Sequence, residues 1–218
     1  MHSSLWLIAP SDDHAFNKSL KDLISNTLPS DFPHAPKNNF IPHVTITSDV
    51  DPAKTYGSSP SSSSPQEWLD NLALPAFKRE TDEVTLELEQ LEAGEAFFKK
   101  VTIRARKDDN LVKLAAACRR QGLAVSESEA QKWAEHEYLP HLSLFYGDVP
   151  KDDVQKKLGL IELQLGFELG SLFDCCGGTL AMGAKLVLVD TSRPVNEWKP
   201  IAERACPWVM WRMAKGLV

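Results

Sequence analysis

Several features that mark other protein classes are scarce or missing in this chain of 218 residues. Its four cysteines form no CxxC pair and no cysteine–histidine spacing typical of a zinc site, so we expect reduced thiols. No apolar run reaches the 18 residues that suggest a membrane span. The first ten residues lack the basic start of a secretory signal. These absences predict a soluble intracellular protein without a membrane span, most simply a cytoplasmic one.

Basic residues are also fewer than acidic residues. The chain has 24 Lys and Arg residues against 30 Asp and Glu residues, which gives a net charge of −6 at pH 7. A protein that holds long nucleic acids through a general basic surface needs the opposite balance. We therefore expect no long nucleic acid as a partner, and any anionic ligand should be small.

One five-residue pattern occurs twice, as Pro42-His43-Val44-Thr45-Ile46 and as Pro140-His141-Leu142-Ser143-Leu144. The two histidines lie 98 positions apart, in opposite halves of the chain, as expected of one structural unit used twice. Because side chains on a strand alternate between faces, each copy presents an imidazole and a hydroxyl about 7 Å apart on one face. Two such copies facing each other would surround one small anion with two imidazoles and two hydroxyls.

The pattern of apolar residues predicts an α+β fold with a single domain over residues 1–218. A serine- and proline-rich segment, 57–65, is predicted to be a low-complexity surface loop. The order of predicted helices and strands is roughly similar in the two halves of the chain, which suggests two pseudosymmetric lobes. Each lobe would be an antiparallel sheet backed by helices, with the active site in the cleft between them. Strands are predicted at 4–9, 41–48, 83–91, 97–105, 139–146, 167–173 and 179–190. Helices are predicted from after a capping cluster at 11–13 to residue 28, at 66–74, at 108–122, from about 150 and at 195–214. Residues 126–138 are predicted to be irregular or weakly helical.

The paired motifs predict acid and base chemistry on a phosphodiester. Two imidazoles with ordinary pKa values of about 6.5 can divide the work of general base and general acid near pH 7. Thr45 and Ser143 would donate hydrogen bonds to the phosphoryl oxygens. No Asp or Glu alternates with the histidines at ligand spacing, so we expect no metal and no cofactor.

Each of these residues also has a plain structural interpretation. A single His-x-Thr on a strand is usually a histidine satisfied within the fold, and only the matching second copy makes chance an unsatisfactory explanation. Tyr146 shares the parity of Leu144 on a regular strand, although a bend at Gly147 could turn it toward the cleft. Packing of Tyr146 in the core is the equal alternative.

The sequence resembles the two-histidine phosphoesterase superfamily, whose signature is His-hydrophobic-Ser/Thr-hydrophobic in each of two lobes. More narrowly, it resembles the fungal and plant cyclic phosphodiesterases. The similar blocks are Leu5-Trp6-Leu7-Ile8-Ala9-Pro10, residues 40–48 around His43, Phe97-Phe98-Lys99-Lys100-Val101, and residues 140–147 around His141. They occur in family order from residue 5 to about 147. The serine-rich insert at 57–64 departs from the compact plant members.

The resemblance implies a function and a set of site residues. The function would be metal-independent hydrolysis of ADP-ribose 1″,2″-cyclic phosphate to ADP-ribose 1″-phosphate, and of nucleoside 2′,3′-cyclic phosphates to 2′-phosphates, linked to tRNA-splicing by-products. His43, Thr45, His141 and Ser143 would be catalytic, and Tyr146 matches a position that contacts substrate. A monomer is expected. Fungal relatives are sometimes assigned to the Golgi, but no residues here direct the chain there.

Two other functions remain open at this point. One is processing of RNA ends by a member of the same superfamily that acts on long RNA, against which the acidic charge balance argues. The other is a non-catalytic module that binds a nucleotide or RNA and has lost the chemistry. The intact motifs in both halves argue against that second alternative.

Overall fold

The structure, a computed structural model, describes residues 2–37, 39–56, 64–175 and 178–214. The strands are β1 Ser3–Ile8, β2 His43–Val50, β3 Val84–Ala93, β4 Val101–Ala105, β5 His141–Phe145, β6 Thr179–Asp190 and β7 Pro200–Met213. The helices are α1 Ala15–Asp22, α2 Leu28–Asp31, α3 Pro52–Thr55, α4 Pro65–Asp70, α5 Asp109–Leu123, α6 Glu127–His136, α7 Lys151–Gln155 and α8 Leu158–Cys175. A π-helical turn, Leu23–Thr27, joins α1 to α2.

The seven strands form one closed sheet in the order β1-β2-β5-β4-β3-β7-β6, with β6 pairing back onto β1. Every pair is antiparallel except β3 and β7, which run parallel. The mixture of helices and strands agrees with the predicted α+β class. The prediction of two separate antiparallel sheets is corrected, because β2 and β5 hydrogen-bond directly and so join the two halves into a single sheet. A two-lobed arrangement is therefore not confirmed.

One face of this sheet packs against helices. Alternate strand residues are fully buried there and share a continuous apolar core with helix residues, as strand periodicity requires. The same alternation turns the neighbouring strand residues to the opposite face. This core includes Leu5, Leu7, Val44, Ile46, Leu142 and Leu144 from strands, and Phe16, Leu20, Leu111 and Leu114 from helices.

Three segments differ from the sequence prediction. Residues 126–138 contain a regular helix, α6, which Ser126 caps by accepting a hydrogen bond from the backbone N–H of Glu129. The predicted strand 167–173 belongs to helix α8. In α8, Ile161, Leu165 and Leu169 are fully buried at a helical spacing of four, so packing of this face overrides the local strand signal.

The predicted closing helix at 195–214 is instead the long strand β7. Pro200 and Pro207 would interrupt a helix, but both suit the strand. Pro200 is the first residue of β7, and Pro207 falls where the register with β6 shifts between the Cys206 and Met210 pairs. A proline is tolerated at a strand end or a bulge because no ladder hydrogen bond is lost there.

The low-complexity prediction falls mostly on residues 57–63, which lie outside the described residues. The two residues of that segment that are described begin a helix. Ser64 caps α4 through the backbone N–H of Glu67, and Pro65 is the first helical residue. In the part of the chain that the structure describes, no helix is both long enough and apolar enough to cross a bilayer.

The tight turn before β4 generates a prediction about stability. The backbone N–H of Gly94 donates a hydrogen bond to the carbonyl of Lys100, and a Cβ added at Gly94 would lie 2.0 Å from the Lys99 carbonyl oxygen. We expect Gly94→Ala to lower the free energy of unfolding by roughly 1–3 kcal/mol, because backbone must shift to admit the methyl group. Urea denaturation measures the change.

Gly170→Ala is the matched control for that substitution. Gly170 lies inside helix α8, and an added Cβ would meet nothing within 4 Å. Alanine there should raise the free energy of unfolding by about 0.5–1 kcal/mol, because it is a better helix former. A free energy of unfolding that Gly94→Ala leaves unchanged or raises, as Gly170→Ala should, would contradict the close approach at Gly94.

Candidate active site

The register of β2 against β5 brings the two motifs side by side. Val44 pairs with Leu142 in an antiparallel ladder. Counting outward from that pair sets His43 beside Ser143 and Thr45 beside His141. Each imidazole therefore neighbours the hydroxyl residue of the other motif. Residues directly opposite on a sheet have Cβ atoms about 5 Å apart and diagonal ones about 7–8 Å, so the two histidines lie within reach of one phosphate group.

The faces of these strands separate the core from the site. Val44 and Leu142 are fully buried in the core on the helix side. The imidazoles and hydroxyls therefore point to the opposite face, where all four predicted side chains line one cavity of about 480 Å³. The structure brings together His43, Thr45, His141, Ser143 and Tyr146 in this cavity.

The proline in each motif helps to fix the imidazole. His43 Nδ1 lies 2.6 Å from the carbonyl oxygen of Ile41, and His141 Nδ1 lies 2.8 Å from that of Leu139. Each acceptor belongs to the residue before a proline, whose backbone the proline ring restricts to an extended conformation. Because a carbonyl only accepts hydrogen bonds, Nδ1 must carry the proton in both rings. Nε2 is then the atom that each histidine offers to a ligand.

The imidazole of His43 stacks against an aromatic ring and is buried. The ring centroids of Trp6 and His43 are 3.7 Å apart with an angle of 12° between the planes, and His43 is only 3% exposed. This burial lowers the pKa of His43 from 6.5 to about 4, and the charge of His141 acts in the same direction. The hydrogen bond to the Ile41 carbonyl opposes the shift. His43 is therefore neutral at pH 7.

His141 has a more open and more polar environment. Burial again lowers its pKa, and the nearby charge of Lys99 lowers it further. The hydrogen bond to the Leu139 carbonyl and the negative charge of Glu92 oppose the shift. The lowered pKa of each histidine also affects how the site would bind a phosphate. An anion placed between the two rings would favour the charged form of each, so ligand binding and proton uptake are coupled.

Tyr146 both packs and lines the cavity. Its ring stacks on Phe40 with centroids 4.2 Å apart and an angle of 15°, and it meets Phe98 and Trp198 edge to face. Burial raises the pKa of the Tyr146 phenol, and its hydrogen bond with Ser143 acts in the opposite direction. Tyr146 thus belongs to the buried core and also lines the cavity.

The structure adds cavity residues that the sequence analysis missed. Trp6 and Trp198 line the cavity, as do Phe98 and Lys99. Trp6 was predicted only as part of a buried strand, because β1 is apolar on both faces and its alternation is therefore hidden. Trp198 was placed inside a predicted helix. Phe98 and Lys99 lie inside one of the blocks that resemble the family, and only that position could have identified them.

Within residues 2–37, 39–56, 64–175 and 178–214, no group of three or more His, Cys, Asp or Glu side chains is placed to hold a metal ion. The described free cysteines, Cys118 and Cys206, are buried in the core, far from water.

Comparison with known proteins finds similarity along nearly the whole chain. Residues 1–206 match the family described as cyclic phosphodiesterase-like protein. A protein of Phaeosphaeria nodorum named 2′,3′-cyclic-nucleotide 3′-phosphodiesterase is 39% identical over 208 residues, which cover 93% of this chain and 97% of that protein. A Neurospora crassa protein of the same name is 33% identical over 218 residues, covering 93% and 98%. One from Yarrowia lipolytica is 28% identical, covering 94% and 99%.

The buried imidazole of His43 predicts a pH dependence of stability. Its folded pKa of about 4 lies below the unfolded value of about 6.5, so the unfolded chain binds more protons between these values. The contribution of His43 to the free energy of unfolding should therefore be fully present above pH 6.5. As the pH falls toward 4, this contribution should be lost, which lowers the free energy of unfolding by about 3 kcal/mol. His43→Asn should flatten the dependence, as measured by urea unfolding at pH 4 to 7.

The control for that experiment is His136→Asn. This substitution removes an imidazole that is largely exposed on α6, and so corrects for having one histidine fewer in the unfolded chain. If His43→Asn and the control gave parallel curves of unfolding free energy against pH, the burial of His43 could not have the cost assigned to it.

Proposed function

Because the chain belongs to the cyclic phosphodiesterase-like family, we propose that it hydrolyses nucleoside 2′,3′-cyclic phosphates to nucleoside 2′-phosphates. The observation that carries this proposal is the β2–β5 register. It sets two imidazoles and two hydroxyls around one point on the cavity face of the sheet. The names of the three fungal relatives support the same reaction.

The proposed roles follow from the donor and acceptor atoms. One histidine takes a proton from water through Nε2 as the water oxygen attacks phosphorus. The bond from phosphorus to the ribose 3′-oxygen breaks, and the second histidine gives its proton to that oxygen. The product is a 2′-phosphate with a free 3′-hydroxyl. Thr45 and Ser143 donate hydrogen bonds to the non-bridging oxygens, where negative charge grows in the transition state.

Each step uses only groups that the site supplies. The attacking oxygen is activated by an imidazole, and the leaving oxygen is protonated by another, so the proposed reaction is independent of metal ions. Electrostatic coupling between His43 and His141 supports a division of one proton between the two rings, since charge on one disfavours charge on the other.

We extend the proposal to ADP-ribose 1″,2″-cyclic phosphate, which the same groups would open to ADP-ribose 1″-phosphate. This reaction would connect the protein to by-products of tRNA splicing. The cavity of about 480 Å³ supports a small-molecule ligand, because its volume falls in the range of such sites. The net charge of −6 argues against long RNA as the substrate.

The first test is turnover by the wild-type protein. We expect hydrolysis of each of the four nucleoside 2′,3′-cyclic phosphates, with 2′-phosphates as the products, at the same rate with and without EDTA. Chromatography of the products on an anion exchanger distinguishes 2′- from 3′-phosphates. Activity only on long RNA, or loss of activity with the chelator, would contradict the proposed substrate or the proposed metal independence.

The second test removes the acid, the base and the oxyanion donors one at a time. His43→Ala and His141→Ala should each lower kcat by roughly 10²–10⁴, the usual contribution of a positioned acid or base. Thr45→Ala and Ser143→Ala should cost about 10–10³, as one donor is lost. His136→Ala should leave kcat unchanged, because its side chain is exposed on α6. A folded His43 or His141 variant with wild-type turnover would remove that residue from the mechanism.

A further inference from the structure

Lys99 holds a fixed position at the edge of the catalytic cavity. It ends a short 3-10 turn, Phe97–Lys99, that precedes β4, and its backbone N–H donates to the carbonyl of Ala96. The backbone N–H of Gly147 donates to the carbonyl of Phe97, which ties the turn to the end of β5. Lys99 lines the same cavity as the two motif histidines.

The ammonium group of Lys99 lacks a counter-charge among the described residues. It takes part in none of the hydrogen bonds or ion pairs that the described part of the chain forms. The next residue is different. Lys100 is buried, and its ammonium donates a hydrogen bond of 2.8 Å to the carbonyl of Glu95. The ammonium of Lys100 is therefore hydrogen-bonded within the fold, whereas Lys99 lines the cavity.

Charge along the cavity is unevenly distributed. Besides the histidines, its described charged lining residues are Lys99, Asp49 and Glu137. Asp49 lies six residues beyond His43 on β2, about 20 Å away along an extended strand. Glu137 lies just before β5, at the same end of the motif pair as Asp49. The cavity is therefore positive at the Lys99 end and negative at the other.

The register separates Lys99 from the place of the reacting phosphate. On β4, Thr102 pairs with Ser143 and Val101 pairs with Phe145. Lys99 precedes both pairs, beyond the end of β5 rather than level with the two hydroxyls. Its charge nonetheless reaches the site, because it contributes to the lowered pKa of His141. This is the position of a group that meets a neighbouring part of the substrate.

We propose that Lys99 binds a second phosphate, carried on the 5′-oxygen of the ribose whose cyclic phosphate is hydrolysed. Resting on the proposed function, this assignment makes Lys99 a specificity residue that favours 5′-phosphorylated nucleoside 2′,3′-cyclic phosphates over unphosphorylated ones. The 5′ arm leaves the ribose away from the cyclic phosphate, so a phosphate there would extend toward the cavity edge. An unpaired ammonium at that edge supplies the complementary charge.

The kinetic test compares two substrates that differ only at the 5′ position, adenosine 2′,3′-cyclic phosphate and its 5′-phosphorylated form. Wild-type protein should prefer the 5′-phosphate by about tenfold or more in kcat/KM, the scale of one charge-assisted hydrogen bond. Lys99→Met should abolish the preference by lowering kcat/KM far more for the phosphorylated substrate than for the unphosphorylated one. Lys99→Arg should retain part of it, and added salt should weaken it in the wild type.

Lys21→Met is the control, because it removes the same charge from an exposed position on α1. It should leave both substrates unaffected. Absence of a preference in the wild type would overturn the assignment. So would an equal loss on both substrates in Lys99→Met, which would show that Lys99 acts on the reacting phosphate.

A binding measurement separates this assignment from the proposed function. Titration calorimetry with adenosine 2′-phosphate and adenosine 2′,5′-bisphosphate requires no turnover. The bisphosphate should bind wild type more tightly by a similar factor, and Lys99→Met should bind the two alike. If neither cyclic compound were hydrolysed, the proposed function would fail, whereas this comparison would still support or overturn the phosphate subsite at Lys99.

Discussion

The antiparallel pairing of β2 with β5 is the constraint on which the site depends. A single backbone register, fixed at Val44 and Leu142, decides which side chains of the two motifs are neighbours. Because strand side chains alternate, a slip of one residue would send the imidazoles and hydroxyls of one motif into the apolar core. The buried aliphatic residues on the helix side resist such a slip. Packing of the core therefore holds the register of the site.

The same pairing explains why the motif contains more than its polar residues. The proline extends the backbone before each histidine, and the carbonyl of the residue before the proline then accepts the imidazole proton. The aliphatic positions anchor the strand in the core. A histidine and a hydroxyl two residues apart would share a face in any strand, but they would lack a fixed tautomer and a fixed depth. The repeated motif specifies the face, the tautomer and the depth of each histidine locally.

Much of this could be predicted from the sequence because the decisive information is local. The alternation around His43 and His141 gives the faces of the strands, and the matching copies indicate that they act together. The sheet order could not be predicted, since it depends on contacts between residues far apart in the chain. Strand β7 shows the difficulty, because Pro207 indicates a broken helix unless the bulge opposite β6 is known. The apolar run around Trp6 likewise hides which face meets the cavity.

The two motifs are nearly identical in sequence, yet their environments differ because their outer neighbours differ. Beyond β2 lies β1, which sets Ile8 beside His43 and places the Trp6 ring over it. Beyond β5 lies β4, where Arg104 pairs with His141 and bonds to Glu92. One imidazole thus has an apolar flank and the other a charged flank, so different groups act on the two pKa values, both of which burial lowers. A symmetric pair of motifs could not by itself separate acid from base. The closed sheet gives the two central strands unlike neighbours, and the proposed division into acid and base would rest on this asymmetry.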